Sequence, residues 1–127
     1  MELSYVNIFT RDIEALSSFY KQVFGFEEIP EIRSPIFVGL KTGKSCIGFN
    51  AQEAYDLLKL SDHANPTGVK FLLNIDVDSA EDVDRMTPLA IELGAKLLKA
   101  PYKTYYNWYQ SVLFDPEGNV FRINKML

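Results

Sequence analysis

The chain comes close to repeating itself, and this limits its possible folds more than any single residue does. Adding 67 to Tyr5-Val6-Asn7-Ile8 gives Leu72-Leu73-Asn74-Ile75, an apolar run with asparagine at the same place. Adding 70 to Ile13, Leu16 and Val23 gives Val83, Met86 and Leu93, apolar in both copies. Each half starts with a β-rich run and continues with a helix whose apolar residues recur every three or four positions. Gly25 and Gly94 stand where these helical periods end, and glycine there readily takes the left-handed conformation that closes a helix. The internal repeat predicts two copies of one unit, a strand, a helix with a glycine stop and then two or three strands, in an α+β arrangement.

In the first half, residues 3–9 read as a strand, and Ile13, Leu16, Phe19, Tyr20 and Val23 share one helix face. Strands are predicted over 26–33, 36–41 and 45–50, the last two joined by Thr42-Gly43-Lys44, with a short helix over 51–60. Residues 61–67, with Asn65-Pro66, read as a linker between modules at 1–60 and 68–127. The second half restarts with a strand over 69–76. Ser79 and Asp82 then have the spacing of a capping box. Pro88 predicts a kink or break in the helix that follows. A short strand is predicted over 97–99. A hairpin of 108–114 and 119–124 follows, turning through Asp115-Pro116-Glu117-Gly118.

Composition narrows the class. With 127 residues, 47% hydrophobic and 24% charged, the chain suits one globular domain and not a disordered segment. A net charge of -4 argues against nucleic acid or an anionic membrane surface as partner. No apolar run approaches the roughly 20 residues of a membrane span, and MELSYVNIF has neither a basic region nor a long apolar core, so no signal peptide is expected. A lone cysteine, Cys46, excludes an internal disulfide framework and suits a reducing compartment, so a cytoplasmic location is expected.

Three segments resemble the vicinal oxygen chelate superfamily, the glyoxalase, bleomycin-resistance and extradiol-dioxygenase group. They are YVNIFTRDIEALSSFYKQVFGF at 5–26, the restart at 72–78 with Leu93-Gly94, and DPEGNVFRI at 115–123. The resemblance implies two βαβββ modules curled into an open barrel around a groove, and pairing into a homodimer. In metal-dependent members, the first and last strands of each module each supply one ligand. Carried over, these positions are Tyr5, Gly48, Leu72 and Arg122. None is a normal divalent ligand, and a guanidinium has no lone pair to offer. A slip of one residue reaches only Val6, Ile47, Phe49, Phe71, Leu73, Phe121 and Ile123. No metal and no cofactor is therefore expected, which argues against glyoxalase, dioxygenase and metal-dependent transferase activity.

Individual residues leave two readings each. Arg122 is either a solvated or ion-paired strand residue, or it stands in the groove to receive a carboxylate or phosphate through its planar fork. Asn7 and Asn74 lie two residues beyond the first-strand ligand positions; they orient a ligand or satisfy each other and nearby backbone. The run Tyr102 to Tyr109 has five aromatics in eight positions, Tyr106 and Trp108 among them. It packs a barrel edge or dimer contact, or it forms an aromatic wall for a ligand. Asp76 shares a strand face with Asn74. His63 reads as an exposed linker residue rather than an acid or base, and Cys46 as a structural thiol.

The expectation is a metal-independent binder of a small apolar or aromatic molecule, with Arg122 fixing a negative or polar group on it, resembling the bleomycin-resistance type. Tyr5, Asn7, Asn74, Tyr106, Trp108 and Arg122 are its candidate ligand-binding residues. The alternative is a glyoxalase-like lyase or isomerase, or a dioxygenase, with a displaced metal site or acid–base chemistry by Tyr5, Asp76 or His63. A third possibility is an interaction protein whose barrel is filled by its own aromatic side chains.

Overall fold

Both long helices start where a side chain replaces a missing backbone acceptor. The Asp12 carboxylate accepts the Ala15 N–H at 3.0 Å, and the Ser79 hydroxyl accepts the Asp82 N–H at 3.1 Å. Helix α1 (Ile13–Phe24) closes on Gly25 at φ 71°, whose N–H donates to the Lys21 carbonyl. Helix α3 runs over Ala80–Glu92. The computed structural model describes residues 1–65 and 67–127, and the chain divides into two units, Met1–Pro66 and Thr67–Leu127. Pro66, part of the predicted linker, lies outside the described residues; Ser61–His63 form a short 3-10 turn with His63 exposed.

Unit 1 contains β1 (Tyr5–Phe9), α1, β2 (Glu27–Glu28), β3 (Phe37–Lys41), β4 (Cys46–Asn50) and the short helix α2 (Glu53–Leu57). Its sheet has the order β1-β4-β3-β2, with β1 parallel to β4. Alternation sends Val38, Leu40, Ile47 and Phe49 to the face that α1 covers, where Leu16, Phe19, Tyr20 and Val23 are buried. The Tyr20 and Phe49 rings meet at 5.7 Å.

Unit 2 repeats the plan with β5 (Leu72–Asp76), α3, β6 (Lys96–Lys103), β7 (Trp108–Phe114) and β8 (Val120–Met126), in the order β5-β8-β7-β6. Here Val83, Thr87 and Ala90 of α3 are buried with Leu73, Leu113, Phe121 and Ile123. The registers agree. Asn7 lies opposite Gly48 in unit 1, and Asn74 lies opposite Arg122 in unit 2. Two βαβββ modules are therefore present, as the family resemblance implies. Among the described residues, no helix is long and apolar enough to cross a membrane.

Four local departures have physical causes. The strand predicted over 26–33 shrinks to two residues because Pro30 brings no N–H and opens a 3-10 turn at Pro30–Ile32. The strand predicted from residue 69 begins only at Leu72. Strand β6 extends to eight residues because β7 offers a partner along its length, with two register shifts absorbing Pro101 and its neighbours. Helix α3 continues through Pro88 instead of breaking. Pro88 is exposed, and so is Asp84, whose carbonyl loses its donor and can turn to water. One residue earlier, the buried Thr87 hydroxyl donates to the Val83 carbonyl at 2.6 Å and meets the Ser111 hydroxyl at 2.7 Å, tying helix to sheet.

The hairpin turn and the N-terminal helix each carry a polar anchor. The buried Asp115 carboxylate accepts the N–H groups of Glu117 at 2.9 Å and Asn119 at 3.0 Å, and the Asn119 amide at 2.9 Å. In unit 1, Arg33 donates to Glu28 at 2.5 and 2.9 Å and also grips Glu14 on α1. The Arg33 guanidinium, helped by Lys21, holds the Glu28 carboxyl down at about 2.

Two outcomes follow for stability. Asp115→Ala strands several turn donors and should cost about 2 kcal/mol, read as a lower midpoint in urea with unchanged slope. Because the folded-state pKa of Glu28 is depressed, its contribution is present above the ordinary glutamate pKa and is lost as pH falls toward 2. Thermal melts between pH 5 and 2 should therefore fall less steeply for Glu28→Gln than for the wild type.

Candidate functional site

The sheet of unit 2 buries one face under α3, and the strand registers arrange the other. Tyr102 lies opposite Gln110, Gln110 opposite Asn124, and Asn124 opposite Asp76. One polar row thus crosses all four strands of this sheet. The neighbouring row is Val112, Arg122 and Asn74. Opposed residues share a face, so both rows look away from the helix.

Hydrogen bonds join these rows into a network. One Asp76 carboxylate oxygen accepts the amides of Asn74 at 2.9 Å and Asn124 at 2.8 Å. The Gln110 amide donates to the Tyr102 hydroxyl at 3.0 Å, and its carbonyl accepts from the Tyr106 hydroxyl at 3.5 Å. The Tyr106 hydroxyl in turn accepts from Arg122 at 3.3 Å, and the guanidinium lies 5.9 Å from the Trp108 ring centre. Tyr106 meets Trp108 edge to face at 5.1 Å. No ion pair involves Arg122 among the described residues. Two buried side-chain atoms there also lack any hydrogen-bond partner: Arg122 Nε and Asn124 Oδ1.

The aromatic run from Tyr102 to Tyr109 divides by alternation. Tyr102, Tyr106 and Trp108 join the polar face. Tyr109 turns the other way and donates to Asp84 on α3 at 2.6 Å, a bond that pushes its phenol pKa up. Tyr105 is fully exposed and touches the Tyr106 ring at 4.9 Å. A left-handed Asn107, φ 67°, turns the chain between Tyr106 and Trp108.

Unit 1 presents a different surface at the corresponding positions. Asn7 accepts from the Asn50 amide at 3.0 Å. A Cβ on Gly48 would collide with Asn7 Oδ1 and lie 2.8 Å from the Phe37 ring, while one on Gly39 would lie 2.7 Å from Ile32. Phe37, Ile32 and Asn7 therefore cover the glycine stretch. Tyr5 lies opposite Cys46, and burial with the adjoining thiol pushes its phenol pKa up, so it stays protonated at neutral pH.

A divalent metal does not fit the positions that the resemblance assigns to ligands. In unit 1 they are a protonated phenol at Tyr5 and the covered Gly48; in unit 2 they are the hydrocarbon of Leu72 and the cation of Arg122. Among the described residues, no three His, Cys, Asp or Glu side chains are grouped to hold a metal ion.

Of the six residues expected to contact a ligand, Asn74, Tyr106, Trp108 and Arg122 are close neighbours in unit 2, while Tyr5 and Asn7 belong to unit 1. Asn124 and Gln110 were not singled out in the sequence, and Tyr102 entered only as the start of the aromatic run. Alternation from Arg122 and Trp108 reaches the first two, and Asn124 also corresponds to Asn50 in the repeat.

Residues 2–123 match the family model described as Glyoxalase/Bleomycin resistance protein/Dioxygenase superfamily. The chain belongs to that superfamily. It is similar to a glyoxalase/bleomycin resistance protein/dioxygenase family enzyme from Burkholderia phytofirmans PsJN, with 67% identity, TM-score 0.97 and 100% of both chains covered. A glyoxalase-related enzyme from Fulvimarina pelagi shares the fold at 16% identity and TM-score 0.86, covering 98% of this chain and 87% of that one. So does a lactoylglutathione lyase from Agrobacterium tumefaciens at 18% identity and TM-score 0.72, covering 98% and 92%. No curated protein matches the chain significantly.

The covered glycine of unit 1 can be tested directly. Gly48→Ala should lower stability by about 1–3 kcal/mol, because the Asn7 side chain and the Phe37 ring must both move. Urea denaturation would measure this, and an unchanged midpoint would contradict the close packing.

Proposed function

We propose that this chain is a metal-independent cytoplasmic binder of a small aromatic molecule bearing a negative group, with Arg122 receiving that group. The observation that carries the reading is the state of Arg122. Its guanidinium is oriented by Tyr106 and Trp108, and among the described residues no carboxylate neutralises it and its buried Nε has no partner. A buried donor left unmatched is costly, and an incoming anionic oxygen would relieve it through a charge-assisted hydrogen bond. Asn74 stands beside it across the strand pair, and Tyr106 and Trp108 supply the apolar surface that an aromatic ring prefers. Pairing of the protein as a homodimer belongs to the same proposal. It is supported by β6, an eight-residue edge strand on which Leu97 and Leu98 are exposed.

Trp108 is the only tryptophan, so its emission reports on this surface. Benzoate should change Trp108 fluorescence saturably, and Arg122→Met should weaken that binding by about tenfold or more, the worth of one hydrogen bond to a charged group. Benzamide should bind less well than benzoate. Native mass spectrometry of the untagged protein should give a metal-free dimer. A stoichiometric divalent metal, or equal binding of benzoate and benzamide, would overturn the reading.

A further inference from the structure

We infer that the ligand of unit 2 is an aromatic acid that also carries a hydroxyl or N–H donor across the ring from its acidic group, and that Asn124 Oδ1 receives this donor. The inference rests on the proposed role of Arg122 and extends it to the other end of the ligand.

The orientation of Asn124 is fixed by its neighbour. A carboxylate oxygen can only accept, so the amide must turn its NH2 toward Asp76, where the bond is 2.8 Å. Its carbonyl oxygen is thereby held pointing away from Asp76. Flipping the amide would set oxygen against oxygen. Asp76 is itself steadied by the Asn74 amide at 2.9 Å. Asn124 is 0% exposed, and its Oδ1 has no partner among the described residues. Buried acceptors in folded proteins are rarely left so, because the lost hydration is not replaced.

The two unmatched atoms are complementary in kind. Arg122 Nε offers a hydrogen and needs an acceptor, whereas Asn124 Oδ1 needs a donor. Their residues are two apart on β8 and share a face, so their backbones are separated by about 6.6 Å of strand. For side chains rooted that far apart on one face, substituents placed across one aromatic ring match the spacing better than groups on adjacent ligand atoms. Trp108, 5.9 Å from the guanidinium, and Tyr106 offer rings for it to pack against. Gln110, the other buried amide of this row, already uses its two ends on Tyr102 and Tyr106, so it does not compete for the ligand.

The test compares benzoate, 3- and 4-hydroxybenzoate, and the matching methoxybenzoates by Trp108 fluorescence and titration calorimetry on the intact protein. One hydroxybenzoate should bind about tenfold more tightly than both benzoate and its own methyl ether, the scale expected when a buried acceptor gains its donor. Asn124→Leu should erase that preference, so that the hydroxybenzoate binds this variant no more tightly than its own methyl ether does. Equal binding of the hydroxy, methoxy and unsubstituted acids would overturn the inference while the anion reading stands. A hydroxyl preference that survives Asn124→Leu would overturn the assignment to Asn124. Failure of every acid to bind would overturn both readings. Should Asn124→Leu fail to fold, the ligand series in the wild type still decides whether a donor is recognised.

Discussion

The parallel pairing of β5 with β8 sets which side chains of unit 2 can act together. Its register places Asn74 beside Arg122 and Asp76 beside Asn124, and the antiparallel partner β7 brings Gln110 and Val112 alongside. A slip of one residue would exchange the faces of the strand, sending Phe121 and Ile123 outward and Arg122 beneath α3. That slip is prevented by the burial of Leu73, Phe121, Ile123 and Leu113. Apolar packing on one face therefore fixes the chemistry on the other.

The two units use one plan for different ends. Their registers match, yet Gly48 stands where unit 2 has Arg122, and Phe9 where it has Asp76. In unit 1 the missing side chain lets Phe37 and Asn7 settle onto the strand, and Phe9 stacks on Tyr55 at 4.0 Å. Its surface is closed over with hydrocarbon and one amide pair. In unit 2 the same places carry a cation, a carboxylate and two amides. The same scaffold occurs twice, and the polar side chains are concentrated in one copy.

The polar side chains of unit 2 hold one another in fixed donor and acceptor roles. Asp76 spends a carboxylate oxygen on two amides, which makes it an anchor that orients them. In unit 1, Tyr5 holds its proton more firmly because of burial and its thiol neighbour. A set of fixed donors and acceptors can discriminate among ligands by what they leave unmatched, since an unsatisfied buried group costs more than a satisfied one gains.

Much of this was legible in the sequence. Helical periodicity, the Asp12 and Ser79 caps, Gly25 and the repeat at 67 and 70 residues fixed the two modules, because burial patterns are written in spacing. Alternation alone put Arg122 opposite in sense to Phe121 and Ile123. The sequence did not show that Tyr109 would leave the other aromatics to bond with Asp84, since its partner is 25 residues away. Nor did it show that Pro88 would sit on an exposed stretch where its missing N–H does little harm. Pairing of Asp76 with Asn124, 48 residues apart, arises only when β5 and β8 lie side by side. Local spacing determines which face a side chain takes. Only the assembled sheet decides which groups meet there and which two are left without partners.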